Sequence, residues 1–232
     1  MKMFNNLNIS KKLLLSNSIL FVLMILIVVL LLQRLTMLSG NVKHVETMLY
    51  SVDTLLQSDR DLYQSLVAER SLLFAKAGSE EFLANVQSHK ENIKQSRERV
   101  NKFLELFTDS KVEELYSEYN EYRAEWEALT TEIRESREAD TRDGRRTAID
   151  LSFGSAADAF EKMRGKIDEM IEYMELVANK AASDTTTSVD EAYNTVIILF
   201  CIFVLVLLTI SVLFPKMIVS PMRDMINRIN EF

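Results

Sequence analysis

Cysteine, proline, glycine and histidine are all scarce in this 232-residue chain, and each scarcity closes off a class of protein. The single cysteine, Cys201, leaves no disulfide framework, so stability has to come from packing. Proline stands only at Pro215 and Pro221, so nothing before Pro215 carries a helix-breaking ring. The five glycines form no phosphate-cradling loop. His44 and His89 are too few and too far apart to build a metal site. No nucleophile is paired with a base. The expectation is a protein that is not an enzyme, with no cofactor, no metal and no nucleic-acid partner.

Two apolar runs stand out against this background. Residues 13–32 and 196–214 carry no charge, and each is about long enough to cross a ~30 Å hydrocarbon core at ~1.5 Å per residue. Lys2, Lys11 and Lys12 precede the first run without an acid; Lys216, Arg223 and Arg228 follow the second, against Asp224 and Glu231. Short basic flanks stay in the cytoplasm and long loops translocate largely regardless of charge. The reading is a multi-pass membrane protein with both termini cytoplasmic. Residues 1–12 form a cytoplasmic N-terminus, 13–32 and 196–214 the transmembrane helices, and 33–195 an extracytoplasmic domain. A cleaved signal peptide is the rival for the first run, but Gln33-Arg34-Leu35 offers no small-x-small cleavage site.

The middle segment reads as helix throughout. It is rich in Glu, Leu, Ala, Lys and Arg, and its apolar residues recur at three and four. Val45, Met48, Leu49, Val52, Leu55, Leu56, Leu62, Leu66 and Leu73 mark one stripe; Phe82, Val86, Ile93, Val100, Phe103, Leu104 and Phe107 a second; Val112, Leu115, Tyr119, Tyr122, Trp126, Leu129 and Ile133 a third; Ile149, Phe153, Phe160, Met163, Ile167, Met170, Met174 and Val177 a fourth. Breaks are predicted at Gly78-Ser79, at Thr108-Asp109-Ser110 and at Asp143-Gly144, with Gly154 and Gly165 weakening the fourth helix only locally. Two helices of about 45 residues (~68 Å) continue the spans and two of about 30 (~45 Å) pack on them. Tight turns favour antiparallel neighbours, so the fold class is all-α, an antiparallel up-down-up-down four-helix bundle between two transmembrane helices. The polar run 183–188 is either a soft joint or a solvated stretch of helix, and the second is favoured.

Continued along the first helix, the apolar seam meets Asp59, Leu62 or Tyr63, Leu66, and Glu69 or Arg70; on the second it meets His89 and Ser96 or Arg97. Charges on an inward face are costly unless paired or hydrated. Three readings stand: an internal network, with Asp59 against Arg97; a polar pocket for a small charged ligand; or a seam displaced by one, leaving these residues in water. Tyr116, Tyr119, Tyr122 and Trp126 read as core, and the charge run from Glu132 to Arg146 as a solvated face.

Beyond the second run, Ile218-Val219-Ser220-Pro221-Met222, with Met225, Ile226 and Ile229 spaced three and four after it, resembles the opening of a HAMP domain. Residues 215–232 hold its first helix, and the connector and second helix are not reached. The run Asp59-Arg60-Asp61-Leu62-Tyr63-Gln64-Ser65-Leu66-Val67-Ala68-Glu69-Arg70 is similar to a stretch of four-helix-bundle chemoreceptors. With the two spans, the chain resembles the N-terminal half of a methyl-accepting chemotaxis receptor. The resemblance implies a homodimer in a bacterial inner membrane. Its periplasmic sensor would take a small-molecule ligand, or a ligand-bound periplasmic protein, and pass a conformational signal through the fourth helix and second span. It also implies that helix-one arginines, Arg60 and Arg70 by position, meet the ligand; Asp59, Tyr63 and Arg97 complete the candidate set. The acids nearby suit a cation equally, so the sign stays open. The rivals are the sensor half of a histidine kinase or cyclic-dinucleotide cyclase, or a ligand-free dimerising spacer.

Overall fold

The structure is a computed structural model that describes residues 9–215 and, beyond them, 219, 222–223 and 226–227. Every regular element is helical: α1 Ile9–Leu72, α2 Glu80–Leu106, α3 Ser110–Glu138, α4 Arg142–Phe153 and α5 Ser155–Phe214. The chain divides into two compact units, Lys43–Ala182 and a second made of Met1–Val42 with Ser183–Phe232. Both α1 and α5 contribute to both.

The larger unit is a four-helix bundle, with α4 and α5 together supplying the fourth arm. Cross-helix contacts run in opposite senses between every pair of neighbours. Ser58 and Ser65 of α1 meet Ser96 and His89 of α2. His89 of α2 meets Trp126 of α3, and Ser96 lies against Tyr119. Asp109 and Glu118 meet Tyr173 and Lys166 of α5. Asp59, Tyr63 and Glu69 of α1 meet Arg164, Phe160 and Ser152. The core between the arms is one continuous cluster in which Leu55, Leu62, Phe103, Val112, Leu115, Tyr119, Trp126, Ile133, Phe160, Met163, Ile167, Met170 and Met174 are almost wholly buried. Burying each such side chain contributes roughly 1.5–3 kcal/mol.

The breaks differ from expectation in three places, each for a local reason. α1 stops at Leu72 rather than Gly78. The guanidinium of Arg137, buried at the end of α3, donates to the carbonyls of Leu72 (3.0 Å) and Ala75 (2.6 Å), so the last turn closes on an arginine instead of continuing. Gly78 then takes a left-handed turn conformation, φ +74°, before Ser79 caps α2 through the Phe82 N–H. The third break falls at 139–141, with Asp140 at φ +48° and Thr141 as N-cap. Gly144 lies inside the first turn of α4, where a Cβ would collide with the carbonyl oxygen of Ser136; it marks close approach, not the turn. Gly154 does more than weaken the fourth helix. It ends α4, at φ −107° and ψ −112°, and a Cβ there would stand 2.6 Å from the Asp150 carbonyl oxygen. Asp109 caps α3 as a polar residue before an acidic first turn should, accepting from the Val112 N–H at 2.9 Å.

In the smaller unit, the α1 and α5 segments lie side by side. Asn41 donates to Ser188 at 3.1 Å, and Arg34 stands 3.8 Å from Glu191. Each segment contains an apolar stretch long enough to cross a membrane, with no residue of either stretch buried. The run 183–188 is helical within α5, its Thr187 and Ser188 hydroxyls bonded one turn back to the Ser183 and Asp184 carbonyls. Of the HAMP-like motif, Met222 and Ile226 are helical, while Pro221, Met225 and Ile229 lie outside the described residues.

Candidate functional site

The α1–α2 seam is made of small polar side chains. Ser51, Thr54, Ser58, Asp61 and Ser65 are buried at alternating steps of three and four along α1; His89, Asn92 and Ser96 answer them on α2. Short side chains let the helices approach until hydroxyls reach the opposite backbone. Ser58 Oγ donates to the Ser96 carbonyl at 3.2 Å and sits 2.7 Å from its hydroxyl. Ser65 Oγ lies 2.7 Å from His89 Nδ1, which is itself 3.0 Å from the Ser65 carbonyl. Burial holds the His89 imidazole below its ordinary pKa, outweighing the bond to the Ser65 carbonyl. Asp61, with no exposed surface, is compensated from both sides: Arg60 donates to Oδ1 (3.0 Å) and Arg99 to Oδ2 (2.5 Å), with Arg99 also bonded to Gln57.

On the outside of this seam a groove of about 400 Å³ opens between the two helices, lined by Arg60, Tyr63, Gln64, Val67, Ala68, Asn85, Ser88 and Asn92. Arg60 is the one charged group in the lining, and its side chain is more than half exposed. Its Nε and Nη2 are turned to Asp61, which fixes the guanidinium and leaves Nη1 outside that pair. Across the groove, the amide nitrogens of Asn85 and Asn92 are taken by the carbonyls of Glu81 (3.0 Å) and Ser88 (2.8 Å). Asn92, whose amide nitrogen also bonds the Ser88 hydroxyl, keeps only its side-chain oxygen, while Asn85 keeps its oxygen and one N–H. The groove couples one cation on α1 with neutral acceptors on α2, above a floor made by the small side chain of Ala68. Among the described residues, no three His, Cys, Asp or Glu converge to hold a metal ion.

Only two of the five sequence candidates, Arg60 and Tyr63, meet in this groove. Asp59 lies on the other flank of α1, bound to Arg164 of α5 at 2.8 Å and not to Arg97. The Arg164 guanidinium lies 4.8 Å from the centre of the Tyr63 ring. Arg97 stands on the surface with both oxygens of Glu127 at 2.8 Å, and that bond raises its pKa. Arg70 stacks over Phe153 at 5.1 Å, nearer the end of α1. The buried pair on α1 is thus Asp61 and Glu69. The seam expected through Asp59 passes through Ser58 instead, because small residues facing α2 widen the buried stripe. Gln64, Asn85, Ser88 and Asn92 escaped the sequence reading. The signal for them was polar residues recurring every three or four positions on α2, where an apolar stripe was being sought. Arg137, inside a run read as solvated, is 3% exposed.

The bundle carries a polar groove between its first two helices, in a chain with two apolar stretches long enough to cross a membrane. The chain matches the family model described as "Four helix bundle sensory module for signal transduction" over residues 6–189. It belongs to that family, the sensory module of methyl-accepting chemotaxis proteins, as its resemblance implied. Comparison with curated proteins and with solved structures gave no match.

Proposed function

We propose that the chain is a homodimeric chemoreceptor of a bacterial inner membrane, with residues 33–195 in the periplasm and both ends in the cytoplasm. Its stimulus is a small carboxylate that also carries an N–H or O–H donor. The observation that carries this reading is the composition of the α1–α2 groove: Arg60 and no acid in the lining, in a chain with 34 acids, across from the side-chain amides of Asn85 and Asn92. A carboxylate suits the guanidinium, and its donor suits the asparagines. An exposed stripe on α1 of Leu49, Leu56, Tyr63 and Val67 supports pairing with a second copy along the same face. Signal passes along α5, unbroken from Ser155 to Phe214, as a displacement of ~1–2 Å that biases a HAMP-type module. Bound ligand shifts the equilibrium only by its differential affinity for two packings, and no catalytic step is involved.

The test is a melting screen of the full chain in lipid nanodiscs against small hydroxy, amino and plain carboxylates. At 100 times its dissociation constant a true ligand stabilises by about 2.7 kcal/mol. Arg60→Ala should abolish the shift and Arg97→Ala should keep it. A silent panel, or a shift that survives Arg60→Ala, contradicts the reading. Inserting proline between Ala178 and Asp190 should leave binding intact and remove output.

A further inference from the structure

Glu69 is the one carboxylate in the bundle that is fully buried without a cationic hydrogen-bond partner. Its side chain has no exposed surface. Oε1 accepts from the Ser152 hydroxyl at 2.6 Å, and Oε2 has no partner at all. Asp61, equally buried on the same helix, shows the contrast: two guanidiniums hold it. A buried carboxyl with one neutral donor favours its protonated form, since desolvation of the charge costs far more than one hydroxyl returns.

The location gives that proton a consequence. Ser152 is the penultimate residue of α4, and the chain breaks immediately afterwards at Gly154, in a backbone conformation that leaves no room for a Cβ. The Glu69–Ser152 bond therefore ties the hinge end of α4 to α1. The surrounding charges are few. On α1 itself, Arg70 is the neighbour, with Nε buried and unpartnered. From α3 comes Arg137, whose Nε and Nη2 are committed to the Leu72 and Ala75 carbonyls while its Nη1 is buried without a hydrogen-bond partner. α4 brings Ser152 and Phe153, while its Arg146 and Asp150 face each other on the exposed side at 3.7 Å. From α2 the same end of the bundle has Phe82, buried with Leu72 and Ala75.

We infer that the bundle senses a second stimulus, the proton: protonated Glu69 latches α4 against α1 through Ser152, and its ionisation releases α4 about the Gly154 hinge. The released state is favoured because an ionised Glu69 gains water only when α4 moves away, a movement that also frees the Arg70 guanidinium from Phe153. Burial raises the carboxyl above its ordinary pKa of 4.5, outweighing the lowering by Ser152 and Arg70. The sign follows: the latched packing binds the proton more tightly than the released one, so it is favoured in acid and lost as pH rises from 4.5 through the raised value. That the proton is an external one rests on the proposed topology; the latch itself does not.

The experiment is hydrogen exchange of the full chain in lipid nanodiscs, from pH 4.5 to 8, with each amide scaled to its intrinsic rate. In the wild type, opening of residues 142–153 should rise with pH, by up to about tenfold per unit inside the window, as one linked proton requires. Glu69→Gln, a neutral isostere, should hold α4 protected and flat across the range. Ser152→Ala should raise the baseline opening and keep the slope. His89 cannot mimic this, since its titration destabilises toward acid, the opposite sign. A flat wild-type profile, a slope that persists in Glu69→Gln, or an equal slope throughout α2 and α3 overturns the inference. A silent carboxylate panel with the α4 slope intact would remove the ligand reading and leave this one standing.

Discussion

Where α1 faces α2, the buried residues are Ser51, Thr54, Ser58, Asp61 and Ser65 against His89, Asn92 and Ser96; where α5 faces the rest of the bundle, they are Phe160, Met163, Ile167, Met170 and Met174, with Tyr119 and Trp126 from α3. The first contact is directional. Its hydroxyls and imidazole bond specific backbone carbonyls, each bond contributing only about 0.5–1.5 kcal/mol net but tolerating one register alone. The second is worth more and specifies less, because dispersion and burial are non-directional and unbranched methionines repack when a neighbour shifts. The polar ties of α5 confine rather than freeze it: Arg164 to Asp59, Lys166 to Glu118, Tyr173 to Asp109. The mechanism proposed above, with one pair of helices held in register while another slides, would be served by that division.

The comparison breaks most visibly on the apolar side. Trp126→Ala removes a fully buried ring that touches Phe160 and His89, and should cost about 3–5 kcal/mol, read as a lowered melting temperature by circular dichroism in nanodiscs. Arg137→Ala comes next, at roughly 2–3 kcal/mol, because the Leu72 and Ala75 carbonyls lose a charged donor at the end of α1. A double-mutant cycle of Ser58→Ala and Ser96→Ala sharpens the polar side: each change should cost about 1 kcal/mol and the pair should be non-additive by roughly 0.5–1. The smallest effect is a pH slope. The folded pKa of His89 lies below 6.5, so its contribution is complete above pH 6.5 and is lost as pH falls through the folded value. His89→Gln should flatten denaturation midpoints over that window, and an unchanged slope would show that another group titrates there.

Helix type, bundle and spans were legible in the sequence because hydrophobic period, charge and the absence of proline act locally and all point one way. The breaks at Gly78-Ser79 and Thr108-Asp109-Ser110 were legible for the same reason, and Ser79 and Asp109 are the N-caps within them. The end of α1 was not, since the residue that stops it, Arg137, lies on another helix. Gly144 approaches the Ser136 carbonyl of α3, while Gly154 ends α4 against the Asp150 carbonyl of its own helix, and residue type alone does not tell the two apart. The groove was half legible. Arg60 and Tyr63 stand on the helix that the family resemblance singled out. Asn85, Ser88 and Asn92 become partners only once the register of α2 is known. Asp61 and Asp59 differ by two positions, and a seam drawn through apolar residues alone exchanged the buried one for its neighbour.

The central contention is that α5 moves while α1 and α2 stay in register. Distances between spin labels address it directly, in the full chain with Cys201 replaced, diluted with unlabelled protein in nanodiscs. One pair joins Leu56 of α1 to Glu172 of α5, the other Leu56 to Glu98 of α2, all exposed positions. With the carboxylate that gives the largest melting shift, the α1–α5 distance should change by ~1–2 Å and the α1–α2 distance should hold. A change confined to α1–α2, or two equal changes, would contradict it.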